Sequence, residues 1–258
     1  MKLEGLRALI TGGNGGIGLA IANAFVNEGA DVSIVGTNDA KLSAATEVLE
    51  RSGRRIVGIK ADVSDAEECR RAVENTIASL QGIDILVNGA GVYISRRFAD
   101  YTVEEYSRVM SVNVDGTFHM CQAVLGHMTD AGFGRIINIA SSAGKWASRN
   151  QAVYNMSKHA VIGLTRCLAL EYALSGITVN ALCPGLVHTD MSDALEQEQA
   201  AAIGTSPSDV HAAMLSRIAI GRYLEPEECG PLAVLLASGE SSAMTGQSIM
   251  VDGGMVFV

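Results

Sequence analysis

An apolar run followed by clustered glycines, Leu6-Arg7-Ala8-Leu9-Ile10-Thr11-Gly12-Gly13-Asn14-Gly15-Gly16-Ile17-Gly18, stands near the start of the chain and decides its fold. The run predicts a buried strand, and the segment Ile17 to Glu28 predicts a helix directly after it. Glycines at such a junction permit a tight turn and let backbone N–H groups approach a pyrophosphate at the positive end of the helix. We therefore expect a dinucleotide-binding loop formed by Gly12, Asn14, Gly15, Gly16, Ile17 and Gly18.

Apolar strands and amphipathic helices alternate along the rest of the chain. Strands are predicted at 32–35, 55–60, 83–87, 135–139, 178–182 and 248–251, and helices at 39–51, 66–80, 103–131 with a break, 154–173 and 226–237. This alternation is typical of a parallel sheet covered on both faces, and the right-handed crossover rule favours a doubly wound topology. We expect an α/β fold, a single Rossmann domain over residues 1–258 with about seven parallel strands.

Residues 188–216 do not fit this alternation. They contain Glu196-Gln197-Glu198-Gln199 and a turn at Ser206-Pro207-Ser208. An insertion of this length is either disordered or a functional lid. Because it follows a strand end, where ligands bind in such sheets, we expect a substrate lid.

Charge and composition exclude several classes of function. The net charge of -9 argues against nucleic acid or an anionic membrane surface as a partner. The N-terminus shows no signal peptide, and no apolar stretch is long enough to span a bilayer. The five cysteines are scattered and, like the five histidines, show no metal-ligand spacing. We expect a cytoplasmic protein with no metal site.

The segment Tyr154-Asn155-Met156-Ser157-Lys158 carries the predicted chemistry, and it begins thirteen residues after Ser141. A separation of four residues places a phenol and an ammonium on one face of a helix. A nearby ammonium lowers a tyrosine pKa that is normally near 10, so Tyr154 would exchange a proton with an alcohol or carbonyl oxygen. Ser141 would hold that same oxygen. The pattern predicts a nicotinamide-dependent oxidoreductase.

Small residues follow several predicted strands. Asn88-Gly89-Ala90-Gly91 ends the fourth strand, Ser141-Ser142-Ala143-Gly144 the fifth, and Pro184-Gly185 the sixth, while Asn113 lies within the long helix. Such residues leave room for a flat cofactor, although each motif alone would equally suit ordinary turns.

These motifs together resemble the classical short-chain dehydrogenase/reductase family over essentially the whole chain. The resemblance places the family's catalytic tetrad at Asn113, Ser141, Tyr154 and Lys158. Its cofactor-binding positions fall at the N-terminal glycine loop and at Gly36, Thr37, Asn38, Asp62, Val63, Asn88, Gly89, Ala90, Gly91, Tyr154, Lys158, Pro184, Gly185, Val187 and Thr189. Gly89 stands where the family has a second asparagine, and Val251-Asp252-Gly253-Gly254 matches the family's C-terminal signature.

The resemblance also implies a role for each member of the tetrad. Tyr154 would be the general acid or base, and Lys158 would lower its pKa and bind the nicotinamide ribose. Ser141 would stabilise the substrate oxygen, and Asn113 would hold a water that links Lys158 to solvent. Asn113 has a structural alternative, since it would also serve to cap or kink its helix.

The end of the second predicted strand bears on cofactor choice. An acidic residue at Gly36 would bind the ribose hydroxyls of NAD, and an arginine at Thr37 would bind the 2′-phosphate of NADP; neither is present. Gly15 is neutral as well. The absence of an acidic residue at Gly36 favours NADP(H) over NAD(H). Asp39, which lies nearby in the sequence, is an acidic residue that favours NAD(H).

The predicted substrate pocket consists of Ser141, Tyr93, Trp146, Leu186 and Met191. Its apolar members indicate a substrate with an apolar or ring part. The alternative is that Met191, with Leu195 and Met214, only packs the lid against the body.

Two branches of the family are similar to this chain, the 3-oxoacyl-[acyl-carrier-protein] reductases and the reductases of polyketides and diketones. Carrier-protein reductases dock an acidic carrier on arginines, where this chain has Gly132 and Ser175. We therefore favour a free small carbonyl or alcohol substrate. A non-catalytic dinucleotide sensor and a nucleotide-sugar epimerase are further alternatives, which the intact catalytic residues and the glycine spacing disfavour.

The resemblance implies assembly as a homotetramer or homodimer. The apolar tail Met255-Val256-Phe257-Val258 would suit burial at an interface, or it would tuck back onto its own domain.

Overall fold

The computed structural model describes residues 1–257 and contains one sheet of seven parallel strands in the order β3-β2-β1-β4-β5-β6-β7. This is the doubly wound topology expected from the sequence, and the prediction of a Rossmann fold is confirmed. The strands are β1 Arg7–Thr11, β2 Asp31–Gly36, β3 Ile56–Lys60, β4 Ile85–Asn88, β5 Gly134–Ile139, β6 Ile177–Pro184 and β7 Ser248–Val251.

Helices connect the strands, and they differ from the predicted segments at their ends and by two helices, within residues 188–216, that were not predicted. The helices are α1 Gly16–Asn27, α2 Asp39–Glu50, α3 Ala66–Leu80, α4 Val103–Met110, α5 Gly116–Ala131, α6 Ala152–Tyr172, α7 Asp190–Ile203, α8 Pro207–Leu215 and α9 Gly230–Ala237. Short 3₁₀ turns occupy Phe98–Asp100, Ser142–Gly144, Ala173–Ser175, Pro226–Cys229 and Gly239–Ser241.

The sheet is buried on both faces. Every residue of β5 and β6 is buried, as their nearly continuous apolar sequences require. One core lies between the sheet and α1, α2 and α9, with Phe25 fully buried at its centre. The second lies between the sheet and α3, α5 and α6, around Leu86 and Met120.

The predicted break in the long helix is a π-helical turn, Ser111–Asp115, between α4 and α5. Helix α5 begins at Gly116, where only glycine fits because a Cβ would lie 2.6 Å from Cγ2 of Val63. The turn carries Asn113, which is almost completely buried. Single π turns within helices occur frequently at functional sites.

Residues 188–216 are ordered in the structure, so the disordered alternative is wrong. The hydroxyl of Thr189 caps α7 by accepting from the Ser192 N–H, and Ser206 caps α8 by accepting from the Asp209 N–H. Gly204 ends α7 in the left-handed conformation. The two helices share a small apolar cluster of Leu195, Ala200, Val210, Met214, Ile218 and Tyr223, which the polar sequence of α7 had concealed.

The register of the sheet brings the polar strand ends to one edge. Thr11 lies beside Val35 on one neighbouring strand and Asn88 on the other, and Asn88 lies beside Asn138. The loops after β1, β4 and β5 therefore meet at the carboxyl edge of the sheet. Within the described part of the chain, none of the helices combines the length and apolar character needed to cross a bilayer.

Candidate active site

A cavity of about 740 Å³ opens at the carboxyl edge of the sheet. Its wall runs from the glycine loop before α1, past the loops that follow β4, β5 and β6, to helices α7 and α8. A ligand crevice at this position is the general expectation for a doubly wound sheet.

The glycine loop brings the backbone close to this cavity. A Cβ on Gly18 would lie 2.2 Å from the carbonyl oxygen of Gly12, so no larger residue fits where α1 meets the loop. A Cβ on Gly12 would lie 2.9 Å from the Ala90 nitrogen, whereas one on Gly15 would meet nothing within 4 Å. The first-turn N–H groups of α1 are thus accessible to an anion, and the cradle fits the pyrophosphate of a dinucleotide.

Thr11 joins the glycine loop to the loop after β4. Its hydroxyl oxygen accepts hydrogen bonds from the N–H groups of Gly89 at 3.1 Å and Ala90 at 3.2 Å. Below it, the Asn88 side chain donates to Oδ1 of Asn138 at 2.9 Å. These bonds fix the two loops between which a flat ligand would lie.

Most of the predicted cofactor residues line the cavity together. They are Gly12, Asn14, Gly15, Gly16, Ile17, Gly18, Gly89, Ala90, Gly91, Tyr154, Lys158, Pro184, Gly185, Val187 and Thr189.

The remaining predicted cofactor residues lie outside the cavity wall; they are Gly36, Thr37, Asn38, Asp62, Val63 and Asn88. Asn38 caps α2, with its Oδ1 accepting from the Lys41 N–H at 2.9 Å. The carboxylate of Asp62 accepts from the N–H and hydroxyl of Ser64. A direct cofactor contact for this group stays a prediction.

The three predicted catalytic side chains Ser141, Tyr154 and Lys158 share the cavity wall. Ser141 lies just beyond Ala140, the residue that follows β5, and its Oγ accepts from the Ala143 N–H at 3.1 Å. Tyr154 and Lys158 project from the first turns of α6, as their spacing predicts. The Lys158 Nζ lies 5.7 Å from the centroid of the Tyr154 ring and donates to the Ile139 carbonyl at 2.9 Å.

The expected lowering of the Tyr154 pKa is wrong for this structure. Burial raises the pKa of Tyr154 to about 12, and the Ser141 side chain acts in the opposite direction without reversing the shift. Burial likewise lowers the pKa of Lys158 to about 8. Loss of solvation disfavours both charged forms, and it outweighs the attraction that the spacing alone suggested.

Asn113 ties the π turn to two other elements of the site. Its Oδ1 accepts from the Val92 N–H at 2.8 Å, and its Nδ2 donates to the Val92 carbonyl at 3.0 Å and to the Ser157 hydroxyl at 3.1 Å. The side chain thus positions the loop after β4 against the helix that bears Tyr154 and Lys158. The helix-distorting alternative is consistent with its place in the π turn.

The predicted substrate residues Ser141, Tyr93, Trp146, Leu186 and Met191 all line the cavity, and Leu195 and Met214 join them from the lid. Sequence reasoning missed Lys41, Ser148, Arg149, Gln151, Asp190, Gln199 and Arg217, which line it as well. Residues 148–151 could have been expected near the site only from their position in the sequence, between Ser141 and Tyr154. No pattern marks Gln199 or Arg217, because their place depends on how α7 and α8 pack.

The described residues contain no group of three or more His, Cys, Asp or Glu arranged to hold a metal ion. The cavity combines a dinucleotide cradle with a tyrosine, a lysine and a serine. A protein with this fold and this arrangement is an oxidoreductase that uses a nicotinamide dinucleotide to interconvert a carbonyl and an alcohol. The family model described as "Enoyl-(Acyl carrier protein) reductase" matches residues 12–256, and the chain belongs to the short-chain dehydrogenase/reductase family.

Named relatives and solved structures agree with this membership. The oxidoreductase UcpA of Salmonella typhimurium is 39% identical over 98% of this chain and 95% of its own. The structure of an NAD+-bound xylitol dehydrogenase has a TM-score of 0.94 and 32% identity, covering 98% of this chain and 100% of that one. A gluconate 5-dehydrogenase from Burkholderia cenocepacia, solved with NADP and tartrate, has a TM-score of 0.91 and 33% identity, covering 98% and 96%.

Proposed function

We propose that the protein interconverts a free small ketone and its secondary alcohol, with Tyr154 exchanging the proton at the substrate oxygen. The observation that carries the proposal is that Ser141, Tyr154 and Lys158 share one cavity wall with the glycine cradle. A bound nicotinamide dinucleotide supplies or takes up the hydride, and the protein supplies orientation and proton transfer.

The protonation states of the site suit the reducing direction. With a pKa raised to about 12, Tyr154 is a phenol at neutral pH and has a proton to donate to a carbonyl oxygen. With a pKa near 8, Lys158 is an ammonium at neutral pH, and its charge stabilises the phenolate that remains after the donation. The Ser141 hydroxyl donates a hydrogen bond to the same oxygen. Asn113 is a positioning residue, acting through Val92 and Ser157.

The surroundings of Gly36 support NADP(H) over NAD(H). A Cβ at Gly36 would lie 2.5 Å from Cγ of Asn14, so an acidic side chain that selects NAD would have to displace the Asn14 side chain. Asp39 pairs with Lys60 at 2.6 Å and does not line the cavity. Lys41, in the first turn of α2, does line it and offers an ammonium to a 2′-phosphate.

A free substrate is favoured over a carrier-bound acyl chain. Gly132 and Ser175 stand where carrier-protein reductases are expected to have arginines, and neither offers a charge. Arg135 is nearby, but it is buried, lies over the Phe133 ring and donates to the carbonyls of Gly134 and Gly176. An acidic carrier would find little attraction on this surface of an acidic protein.

Helices α7 and α8 are proposed as the substrate lid. They contribute Met191, Leu195 and Met214 to the cavity wall, opposite the catalytic side chains. Glu198 holds the lid to the loop after β4, since its Oε2 accepts from the Ser95 N–H at 2.9 Å. A lid anchored by few bonds opens for exchange of ligands and closes to exclude water.

Assembly as a homotetramer, or as a homodimer, is proposed through the outer faces of α5 and α6. Phe118 and Leu170 are exposed there, as is Leu174 in the turn after α6, and burial against a second copy would remove this apolar surface from water. Of the tail expected at an interface, Phe257 is exposed, and Val258 lies outside the described residues. Light scattering coupled to size-exclusion chromatography gives the number of subunits.

The function is tested by following oxidation of NADPH and NADH with a panel of ketones, diketones and acetoacetyl thioesters, and the reverse reaction with secondary alcohols. We expect turnover of free ketones, faster with NADPH. Turnover confined to thioesters would instead support a 3-oxoacyl-[acyl-carrier-protein] reductase. Binding of the dinucleotide without turnover of any compound would support a non-catalytic sensor.

A further inference from the structure

The charges that line the cavity are opposite in sign to the charge of the protein. The chain has a net charge of -9. Among the described residues, the cavity is nevertheless lined by four cations, Lys41, Arg149, Lys158 and Arg217, and by the single acid Asp190. Asp190 is paired with Lys41 at 2.6 Å, at the end nearest α2. The substrate end therefore has two arginines and no carboxylate.

Arg217 is held in place by an aromatic ring. It follows α8, and its guanidinium carbon lies 4.0 Å from the centroid of the Trp146 ring. A guanidinium stacked on an aromatic face keeps its N–H edge available for a further acceptor. Within residues 1–257 that guanidinium makes no hydrogen bond and no ion pair, whereas Arg222 on the same segment pairs with Glu228 at 2.6 Å.

The two glutamates of α7 are engaged elsewhere. Oε1 of Glu196 lies 2.7 Å from Nδ1 of His211 and accepts from the Tyr223 hydroxyl at 2.7 Å. Glu198 accepts from the Ser95 N–H. Neither glutamate lines the cavity, so a bound anion would meet no like charge from the cavity wall at the substrate end.

We propose that the substrate carries a carboxylate and that Arg217, stacked on Trp146, binds it. This inference rests on the proposed carbonyl–alcohol function and narrows its substrate to short oxo acids and hydroxy acids. A guanidinium offers two parallel N–H groups that match the two oxygens of a carboxylate. Arg149 adds a second positive charge, and the apolar lid residues Met191, Leu195 and Met214 contact the carbon chain between the carboxylate and the reacting oxygen.

Binding is measured directly because Trp146 is the only tryptophan of the chain. Short oxo and hydroxy monocarboxylates, including acetoacetate and levulinate, are titrated into the NADP+-loaded enzyme while its tryptophan fluorescence is followed. Their methyl esters are titrated separately for comparison. We expect at least one acid to give a saturable change. Arg217→Gln weakens its binding by roughly 10- to 100-fold, as expected for loss of a charge-assisted hydrogen bond. Arg217→Lys retains part of it.

The matched control is Arg97→Gln, which removes the same charge from an exposed arginine outside the cavity wall. It should bind the acid as the wild type does. A similar loss in Arg97→Gln would show that only net charge matters, and it would overturn the proposal. No saturable response to any acid in the wild type would overturn it too.

Steady-state kinetics separate this inference from the proposed function. We expect kcat/KM for the acid to fall in Arg217→Gln, whereas kcat/KM for the neutral ester should stay within about twofold of wild type. A change of that size is smaller than the effect of losing one net hydrogen bond. If esters react as well as acids and Arg217→Gln affects neither, the proposal of a substrate carboxylate is overturned, but the proposed reductase function is not. If Arg217→Gln lowered kcat/KM only for acetoacetyl coenzyme A, Arg217 would bind a phosphate of coenzyme A, and the carboxylate proposal would be overturned. If the acid binds as expected but no compound is turned over, only the proposed carbonyl–alcohol function is overturned.

Discussion

The ring of Tyr93 meets the ring of Tyr154 edge-on, with the centroids 5.1 Å apart and the planes at 72°. This pairing joins the loop after β4 to the catalytic helix at the cavity wall, and it is a favourable aromatic geometry. The Tyr93 hydroxyl is buried and makes no hydrogen bond of good geometry among the described residues, although the side chains of Ser95, Gln151 and Gln199 lie near enough to oppose the rise of its pKa that burial causes. A buried hydroxyl without a partner beside the proposed proton donor is suited to bond a substrate.

Replacing Tyr93 by Phe keeps the ring pair and removes the unpartnered hydroxyl. We expect an unchanged or slightly higher melting temperature, because an unsatisfied buried group costs about 1–3 kcal/mol. We expect kcat/KM to fall by roughly tenfold, the effect of one lost hydrogen bond to the substrate. Thermal unfolding and steady-state kinetics measure the two effects.

Tyr101→Phe is the matched control for this change. The Tyr101 hydroxyl donates to the Ile94 carbonyl at 2.7 Å, and the residue lies outside the cavity wall. Its loss should lower stability by about 1 kcal/mol and leave kcat/KM alone. A drop in melting temperature for Tyr93→Phe as large as that for Tyr101→Phe would show that the Tyr93 hydroxyl already has a partner in the free protein.

Replacing Tyr154 by Phe removes the proposed proton donor. We expect kcat to fall by about 10²- to 10⁴-fold, the usual contribution of a general acid or base. The dissociation constant of NADPH should change little, because the phenol hydroxyl is assigned to the substrate oxygen. Turnover numbers and fluorescence titration with NADPH provide the measurements, and full activity in this variant would contradict the assignment.

The raised pKa of Tyr154 also predicts how the two directions depend on pH. Reduction uses the phenol, which persists below about pH 12, so its rate should be flat until Lys158 loses its proton near pH 8. Oxidation uses the phenolate beside a charged Lys158, so its rate should rise with pH up to about 8 and level off above it, where Lys158 loses its proton. Profiles of kcat/KM against pH in both directions test this, and an oxidation rate that levels off well below pH 8 would show a much lower Tyr154 pKa in the working enzyme.

Local patterns in the sequence were sufficient for the fold and for bringing Ser141, Tyr154 and Lys158 to one cavity. Runs such as Leu6 to Ile10 mark buried strands, and a spacing of four residues is enough to place Tyr154 and Lys158 on one face of α6. The glycine loop could be located because Gly18 packs against the carbonyl oxygen of Gly12, a few residues before it in the chain. These features depend on neighbours in sequence, so a single chain reveals them.

Properties that depend on tertiary packing could not be predicted in the same way. The pKa of Tyr154 is set by burial, which spacing does not report. The helices α7 and α8 are stabilised by their own apolar cluster beneath a polar surface. Arg217 gains its role only because packing of the lid brings it onto Trp146.

Replacing Lys41 by Ala tests the preference for NADP(H). We expect KM for NADPH to rise by roughly tenfold or more, because a charge-assisted bond to the 2′-phosphate is lost, and KM for NADH to change little. Lys60→Ala is the control, since Lys60 carries the same charge on the surface, pairs with Asp39 and does not line the cavity. Equal losses with both cofactors would instead assign Lys41 to holding Asp190 and the lid.

Replacing Lys158 by Met should make the protein more stable at neutral pH and inactive. The folded-state pKa of Lys158 is lowered from 10.5 to about 8, so below pH 8 the fold holds a buried ammonium that burial disfavours. Between pH 8 and 10.5 the unfolded chain binds more protons than the folded one, and wild-type stability rises with pH in this window. The buried Lys158 ammonium lowers the free energy of unfolding at pH 7 by an amount on the order of 3 kcal/mol. Its hydrogen bond to the Ile139 carbonyl, which Met would lose, offsets part of this cost.

The measurement is urea unfolding of both proteins without cofactor from pH 7 to about pH 10.5, with the free energies of unfolding compared at each pH. The advantage of Lys158→Met should be largest at pH 7 and should shrink as pH rises through 8 toward 10.5, where the wild-type lysine folds uncharged. The opposing contribution of Tyr154 above pH 10 is common to both proteins and cancels in the difference. Lys60→Met, at an exposed ion pair, should show no such dependence. A Lys158→Met protein less stable than wild type at pH 7 would mean that the ammonium is well solvated or well paired in the folded state.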